Sequence, residues 1–305
     1  KTRFGSDADV LGGISVGTVT VVGALGANIT GGTVNAGSLA GAVSGGNVTV
    51  TNLLTGGVSA GTVNAGSLTG NVSGGAVTVT GALTGNVTAG TVSAGSMAGN
   101  VGSSVTVTGL LNGEITAGTN SLGSLTSASV TGGTNTITGA ATVTTVNGGT
   151  TTVGGVATIT TLTTGTLTFN GASGSIGTLT DGTFNLNGAA ATVGTLSAGT
   201  INLAASTALT VDSGTFSGSL AGSGSLIKAT SGILTLTGAN ASFTGSTTIN
   251  AGELIIQNAG SLGTSAITVA SGAILDLGGL SITNAITATP DRIRNGPTAA
   301  SPAVV

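Results

Sequence analysis

The first half of this chain repeats with a period of 29, and that period constrains its fold more than any other feature. Residues 32–60 read GTVNAGSLAGAVSGGNVTVTNLLTGGVSA, residues 61–89 read GTVNAGSLTGNVSGGAVTVTGALTGNVTA, and residues 90–117 read GTVSAGSMAGNVGSSVTVTGLLNGEITA. Thr33, Thr62, Thr91 and Thr119 mark successive units at spacings of 29, 29 and 28. Such a period belongs to stacked repeats, in which each unit buries its apolar residues against its neighbours alone.

The apolar residues fall into columns that follow the period. Val10, Leu39, Leu68, Met97 and Leu125 form one, and Ile14, Val43, Val72 and Val101 another. Val19, Val48, Val77 and Val105 run beside Val21, Val50, Val79 and Val107. Leu25, Leu54, Leu83 and Leu111 form a further column, as do Ile29, Val58, Val87 and Ile115. Within a unit the alternation is that of a strand: in residues 76–83 (AVTVTGAL), Val77 and Val79 share one face and Thr78 and Thr80 the other. No segment carries a helical period. Gly and Asn separate the short strands, as turns require.

Two coil sizes fit this pattern. Each unit has an internal echo at a shift of 15, because LTGNVSGGAV (68–77) resembles LTGNVTAGTV (83–92). A unit is therefore one large three-faced coil or two flattened coils, each 14 or 15 long, and we expect the single three-faced coil. After about Gly139 the register changes. GTLTFNG (165–171), GTFNLNG (182–188) and GTINLAA (199–205) recur at a spacing of 17, which predicts the same fold with shorter coils. The expected organisation is an N-terminal cap over 1–9, a solenoid of 29-residue repeats over 10–146, a solenoid of shorter coils over 147–288, and an extension over 289–305 that holds all three prolines.

Composition narrows the function. Charged residues make up 4% of the chain, against about 25% in a typical domain. Mean hydropathy is +0.55 and net charge is −3, whereas disordered chains combine low hydropathy with high charge. No apolar run approaches the length of a membrane-spanning helix, and five Phe with no Trp or Tyr cannot form the aromatic girdles of a membrane barrel. We therefore expect no membrane insertion of this segment. Five basic against eight acidic residues leave no electrostatic footprint for nucleic acid. The chain starts at Lys1 without an apolar leader, so a leader is expected to have been removed.

Residues 222–263 read GSGSLIKATSGILTLTGANASFTGSTTINAGELIIQNAGSLG, followed by AITVASGAILDLGG (266–279). This stretch resembles the passenger-associated strand repeat of bacterial autotransporters. Leu226, Lys228, Leu234, Leu236, Gly238, Asn240, Gly245, Thr247, Ile249, Gly252, Leu254, Leu262 and Gly263 match that pattern, and Phe243 stands where the family often has Tyr. The resemblance covers about a fifth of the chain and implies a right-handed parallel β-helix, extracellular or on the bacterial cell surface. Autotransporters end in an aromatic-rich barrel, and this chain ends in a Pro-containing tail. A barrel cleaved from a longer precursor and a free secreted relative both stay open.

Catalytic chemistry finds little to work with. With no His, Cys or Tyr there are no triads, thiol chemistry or imidazole-bound zinc. Glu114, Asp181, Asp212, Glu253 and Asp276 are scattered, with no spacing that pairs two of them for glycoside hydrolysis. Asp7 and Asp9 lack the further acids a calcium cage needs. We expect no enzyme, no cofactor and no metal. Asn28, Asn47, Asn71, Asn86 and Asn240 lie in Asn-X-Ser/Thr sequons and read more simply as stacked turn asparagines.

The absence of charge points to contact and assembly. No charged residue lies between Asp9 and Glu114, and such a surface is poorly protected from association. Charges gather at the ends, at Lys1, Arg3, Asp7 and Asp9 and then at Asp291, Arg292 and Arg294. Asp7, Asp9, Arg292 and Arg294 are thus candidate assembly ends. The leading expectation is a secreted, non-catalytic subunit of an extracellular fibre or surface appendage, whose partner is itself, joined head to tail through its solenoid ends. The alternative is a monomeric autotransporter-type adhesin that binds glycans or a cell surface. Ice binding ranks third, on the outward threonines Thr20, Thr49, Thr78 and Thr106 beside Val22, Thr51, Thr80 and Thr108.

Overall fold

The computed structural model describes residues 2–5, 8–9 and 13–296. The chain divides into two compact units, Lys1–Ala140 and Ala141–Val305. Both are built of parallel strands that wind into a β-solenoid. Helix is confined to a single 3₁₀ turn at Pro290–Arg292 among the described residues.

In the first unit, Val34 pairs with Val48, Val48 with Val63 and Val63 with Val77. Coil lengths of 14 and 15 thus alternate, and each 29-residue repeat holds two coils. This corrects the expected single three-faced coil. The sequence columns interleave accordingly: Leu25, Leu39, Leu54, Leu68, Leu83, Met97 and Leu111 form one continuous stack. Ile14, Ile29, Val43, Val58 and Val72 likewise form one ladder of bridges. Val10 lies outside the described residues.

Each coil sends four side chains inward. In one coil these are Val34, Ala36, Leu39 and Val43, all buried, and in the next Val48, Val50, Leu54 and Val58. Outward positions carry Thr, Asn, Ser and Gly, and so the strands Thr33–Ala40 and Asn47–Thr55 alternate between buried and exposed residues. Gly61 opens a coil at φ 92°, a left-handed conformation that other residues adopt at a steric cost. Near the end of the unit, Asn120 and Asn135 take the place of the inward valines. Nδ2 of Asn120 donates to Oδ1 of Asn135 at 2.7 Å, and Oδ1 of Asn120 accepts from the backbone N of Val105 at 3.1 Å, so burial leaves these amides bonded.

Two kinds of corner alternate, and they explain why the repeat is two coils long. In the strand Thr33–Ala40 the inward Ala36 and Leu39 are separated by Gly37 and Ser38. In the strand Asn47–Thr55 the inward Val50 and Leu54 are separated by Thr51, Asn52 and Leu53, so the register shifts by one position there. The extra residue is a bulge that recurs on every second coil.

The second unit has wider coils. Thr166 pairs with Thr183 and Thr183 with Thr200, a coil length of 17. Leu234 pairs with Leu254, which gives that coil a length of 20. The spacing of 17 is present, but the expectation of coils shorter than those of the 29-residue unit is corrected. Because that unit holds two coils, each coil here is wider than a single coil of the first unit. A wider coil encloses more volume, and phenylalanine fills it. Phe169, Phe184, Phe216 and Phe243 are all buried, and the rings of Phe169 and Phe184 meet edge to face at 5.0 Å and 75°.

Candidate functional site

The ionisable side chains do not converge. Among the described residues no group of three or more acids could hold a metal ion. Asp181 accepts a hydrogen bond from the backbone N of Gly182 at 2.8 Å, and Asp276 accepts one from Gly278 at 2.8 Å, so both carboxylates close local turns. Glu253 is paired with Arg294 at 3.1 Å.

Lys228 stands apart because it points inward, stacked between Val211 and Ile249. The residue is fully buried. Its Nζ donates to the carbonyl oxygens of Thr230 and Ala251. Desolvation pushes its pKa below the ordinary lysine value, and Asp212 partly opposes that shift.

The ends proposed for assembly are only partly in view. Asp7 lies outside the described residues. The strand Ala8–Asp9 pairs through its backbone with Leu25 and Gly26. Arg292 and Arg294 already hold in-chain carboxylates, Asp291 at 3.1 Å and Glu253 at 3.1 Å. The Thr289 hydroxyl and Arg292 hold the Asp291 carboxyl below its usual pKa.

A patterned surface runs along one outer side of the first unit. Thr20, Asn35, Thr49, Asn64, Thr78 and Ser93 lie in register on successive coils and are all exposed but for the half-buried Thr20. Two positions further along each strand, the side alternates between a projecting side chain and none. Val22, Thr51, Thr80 and Thr108 project from the bulged coils, and Gly37, Gly66, Gly95 and Gly123 sit on the coils between. The result is a row of open notches. One of about 340 Å³ is walled by Val22 and Thr51 over Gly37. The next, of about 220 Å³, is walled by Thr51 and Thr80 over Gly66.

Close approach of the coils dictates the glycines. A Cβ on Gly37 would meet the carbonyl oxygen of Val22 at 2.3 Å, and one on Gly95 would meet that of Thr80 at 2.5 Å. The threonine columns are visible in the sequence, whereas the notches between them are not. The available signal was the recurring Asn-Ala-Gly-Ser-Leu of residues 35–39 and 64–68. The interleaved Asn and Gly also break the flat threonine array on which ice binding rested. In this row of the first unit the Thr49-X-Thr51 and Thr78-X-Thr80 strands lie two coils apart, about 9.6 Å at ~4.8 Å per coil.

A second ladder runs along another edge. Oδ1 of Asn71 accepts from the backbone N of Asn86 at 2.9 Å, and Oδ1 of Asn86 from that of Asn100 at 2.8 Å. Oδ1 of Asn100 accepts from the N of Glu114 at 3.0 Å. These asparagines bind one coil to the next. Asn240 is buried, accepting from Leu220 N at 2.7 Å and donating to Ser261 O at 2.6 Å.

Comparison with known proteins bears on one segment of the second unit. The family described as passenger-associated-transport-repeat matches residues 226–256. The match takes in parts of two coils, from Leu226 in the strand Ser225–Lys228 to Ile256 at the end of Glu253–Ile256. The chain thus carries an autotransporter-type passenger repeat on a β-solenoid. No curated protein and no solved structure matches the chain.

Proposed function

We propose that this chain is a non-catalytic contact element of the autotransporter-passenger type, displayed outside the cell or on its surface. The observation that carries this reading is the passenger repeat at residues 226–256, set in a solenoid whose first unit presents a side without charge from residue 13 to residue 113. A parallel solenoid places one short strand per coil on each side, so a patterned surface extends with every coil added. Scattered carboxylates that already close turns or pair with arginine support contact rather than turnover. Labelling of intact cells with an antibody against the first unit tests the reading. Signal on unbroken cells is the expected result, and signal only after lysis would sink it.

Head-to-tail assembly is a second reading, favoured by one observation. The last strands, Ile286–Thr287 and Ile293–Arg294, pair on one side with Ile267–Val269 and Ile274–Asp276, and among the described residues no further strand covers their other side. Open backbone N–H and C=O groups there would be satisfied by a further coil. Because Arg292 and Arg294 are already engaged, backbone pairing and apolar stacking would carry the joint. Filaments that persist when residues 295–305 are removed would exclude the tail as the connector.

A further inference from the structure

We propose that the notched side of the first unit is a docking surface for a second copy of this chain, with the projecting residues of one copy seated in the notches of the other. The proposal rests on the reading of this neutral side as a contact element and names its partner.

Self-complementarity is the observation that selects a second copy. Knobs and notches lie in the same row and recur at the same two-coil period, with Thr51 and Thr80 flanking the notch over Gly66. A second copy turned about a two-fold axis and shifted by one coil would bring its knobs opposite these notches, and the period keeps every later pair in step. No unrelated partner matches that spacing by construction. A two-fold interface uses one patch twice, which is what a row of this kind allows.

The chemistry of the side agrees. It carries no charge, so two copies meet without like-charge repulsion or the desolvation of ions. Its side chains are short, and ordering Thr, Ser, Asn and Gly costs less conformational entropy than ordering long charged ones. Apolar surface lies in the row at Val22, 59% exposed, and borders it at the bulged corners, where Leu53 and Leu110 are 39% and 43% exposed. Small interdigitating side chains on a regular β-surface form dry, close-packed interfaces. The patch is on the order of 600 Å² a side, eight coils at about 4.8 Å by a strand length of about 17 Å, which lies at the low end for a specific complex and implies a concentration-dependent dimer.

Sedimentation equilibrium of the full chain across a wide concentration range tests the proposal. The expected result is reversible dimerisation that high salt leaves in place. The double variant Thr51→Lys/Thr80→Lys keeps exposed positions exposed and places like charges on facing rows. It should weaken dimerisation about a hundredfold or more. The control Thr55→Lys/Thr84→Lys adds the same charge to exposed positions on the next side of the coil and should leave the dimer intact. Circular dichroism and melting of both variants establish that they fold. A chain that stays monomeric at the highest concentration overturns the proposal, as does a dimer equally weakened by both variants. Growth beyond dimers that ignores Thr51→Lys/Thr80→Lys places assembly at the ends and also overturns it. So does a monomer that binds neutral polysaccharide through this row. A monomer displayed on cells leaves the contact reading standing, and a dimer found only inside cells sinks that reading instead.

Discussion

The backbone carbonyl oxygen of Thr51 lies 2.4 Å from the point where a Cβ on Gly66 would stand. The two residues belong to neighbouring coils, and their approach fixes the alternation of bulged and tight corners. Replacing Gly66 with alanine forces the coils apart at the notch. Overpacking of this kind costs about 1–3 kcal/mol, and the rigid backbone on both sides puts this site at the upper end. Thermal unfolding should show a lower melting temperature for Gly66→Ala, with Ser67→Ala close to wild type. An alanine variant as stable as the parent would mean that the corner relaxes freely.

Leu68 sits in the continuous leucine stack between Leu54 and Leu83 and is 1% exposed. An aspartate there would be a buried charge without a partner, at a cost of several kcal/mol. Because each coil leans only on its neighbours, the damage should centre on that part of the first unit. Hydrogen exchange of Leu68→Asp is expected to show lost protection in coils around residue 68, with the second unit retaining its own. Unchanged protection around residue 68 would contradict an inward Leu68.

Lys228 predicts an unusual pH dependence. Burial lowers its pKa in the folded chain below the ordinary 10.5. Between those two values the unfolded chain binds more protons than the folded one, so stability rises as pH climbs through that window. The sequence contains no Cys, Tyr or His, and Lys1 is its only other lysine, so few other side chains titrate in the alkaline range. Melting temperature should therefore increase as pH climbs through that window toward 10.5, and the increase should vanish in Lys228→Met. A parent that melts at the same temperature across this range would show that the buried amine titrates normally.

Asn240 bridges the backbone of Leu220 and Ser261 within the second unit. Alanine in its place leaves a buried N–H and a buried carbonyl without their partner, worth about 1–3 kcal/mol for each such group. Denaturant unfolding of Asn240→Ala should give a lower midpoint with little change in slope. Asn71→Ala, on the exposed ladder, should cost less, since water replaces the lost side-chain acceptor there.

The solenoid class was legible because Val77 and Val79 alternate with Thr78 and Thr80, and because like residues recur at one period. The passenger repeat was legible from spaced residues such as Leu234, Asn240 and Gly252. The notches were not, since nothing in a one-dimensional list places Gly66 between Thr51 and Thr80. The inward amides of Asn120 and Asn135 were equally hidden, because asparagine is a common turn residue and only stacking reveals a polar pair inside a valine column.

By itself the sequence determined that strands must form, which residues alternate, and that the alternation recurs with a period of 29. Periodic side chains need no knowledge of their partners to show this. Only the tertiary structure decided that Val34 meets Val48 rather than Val63, because a coil is defined by backbone hydrogen bonds, whose register does not depend on which side chains look alike. It also decided that Arg294 reaches Glu253, far back along the chain, at 3.1 Å. Such a contact depends on how many coils lie between two residues and on how long each coil is.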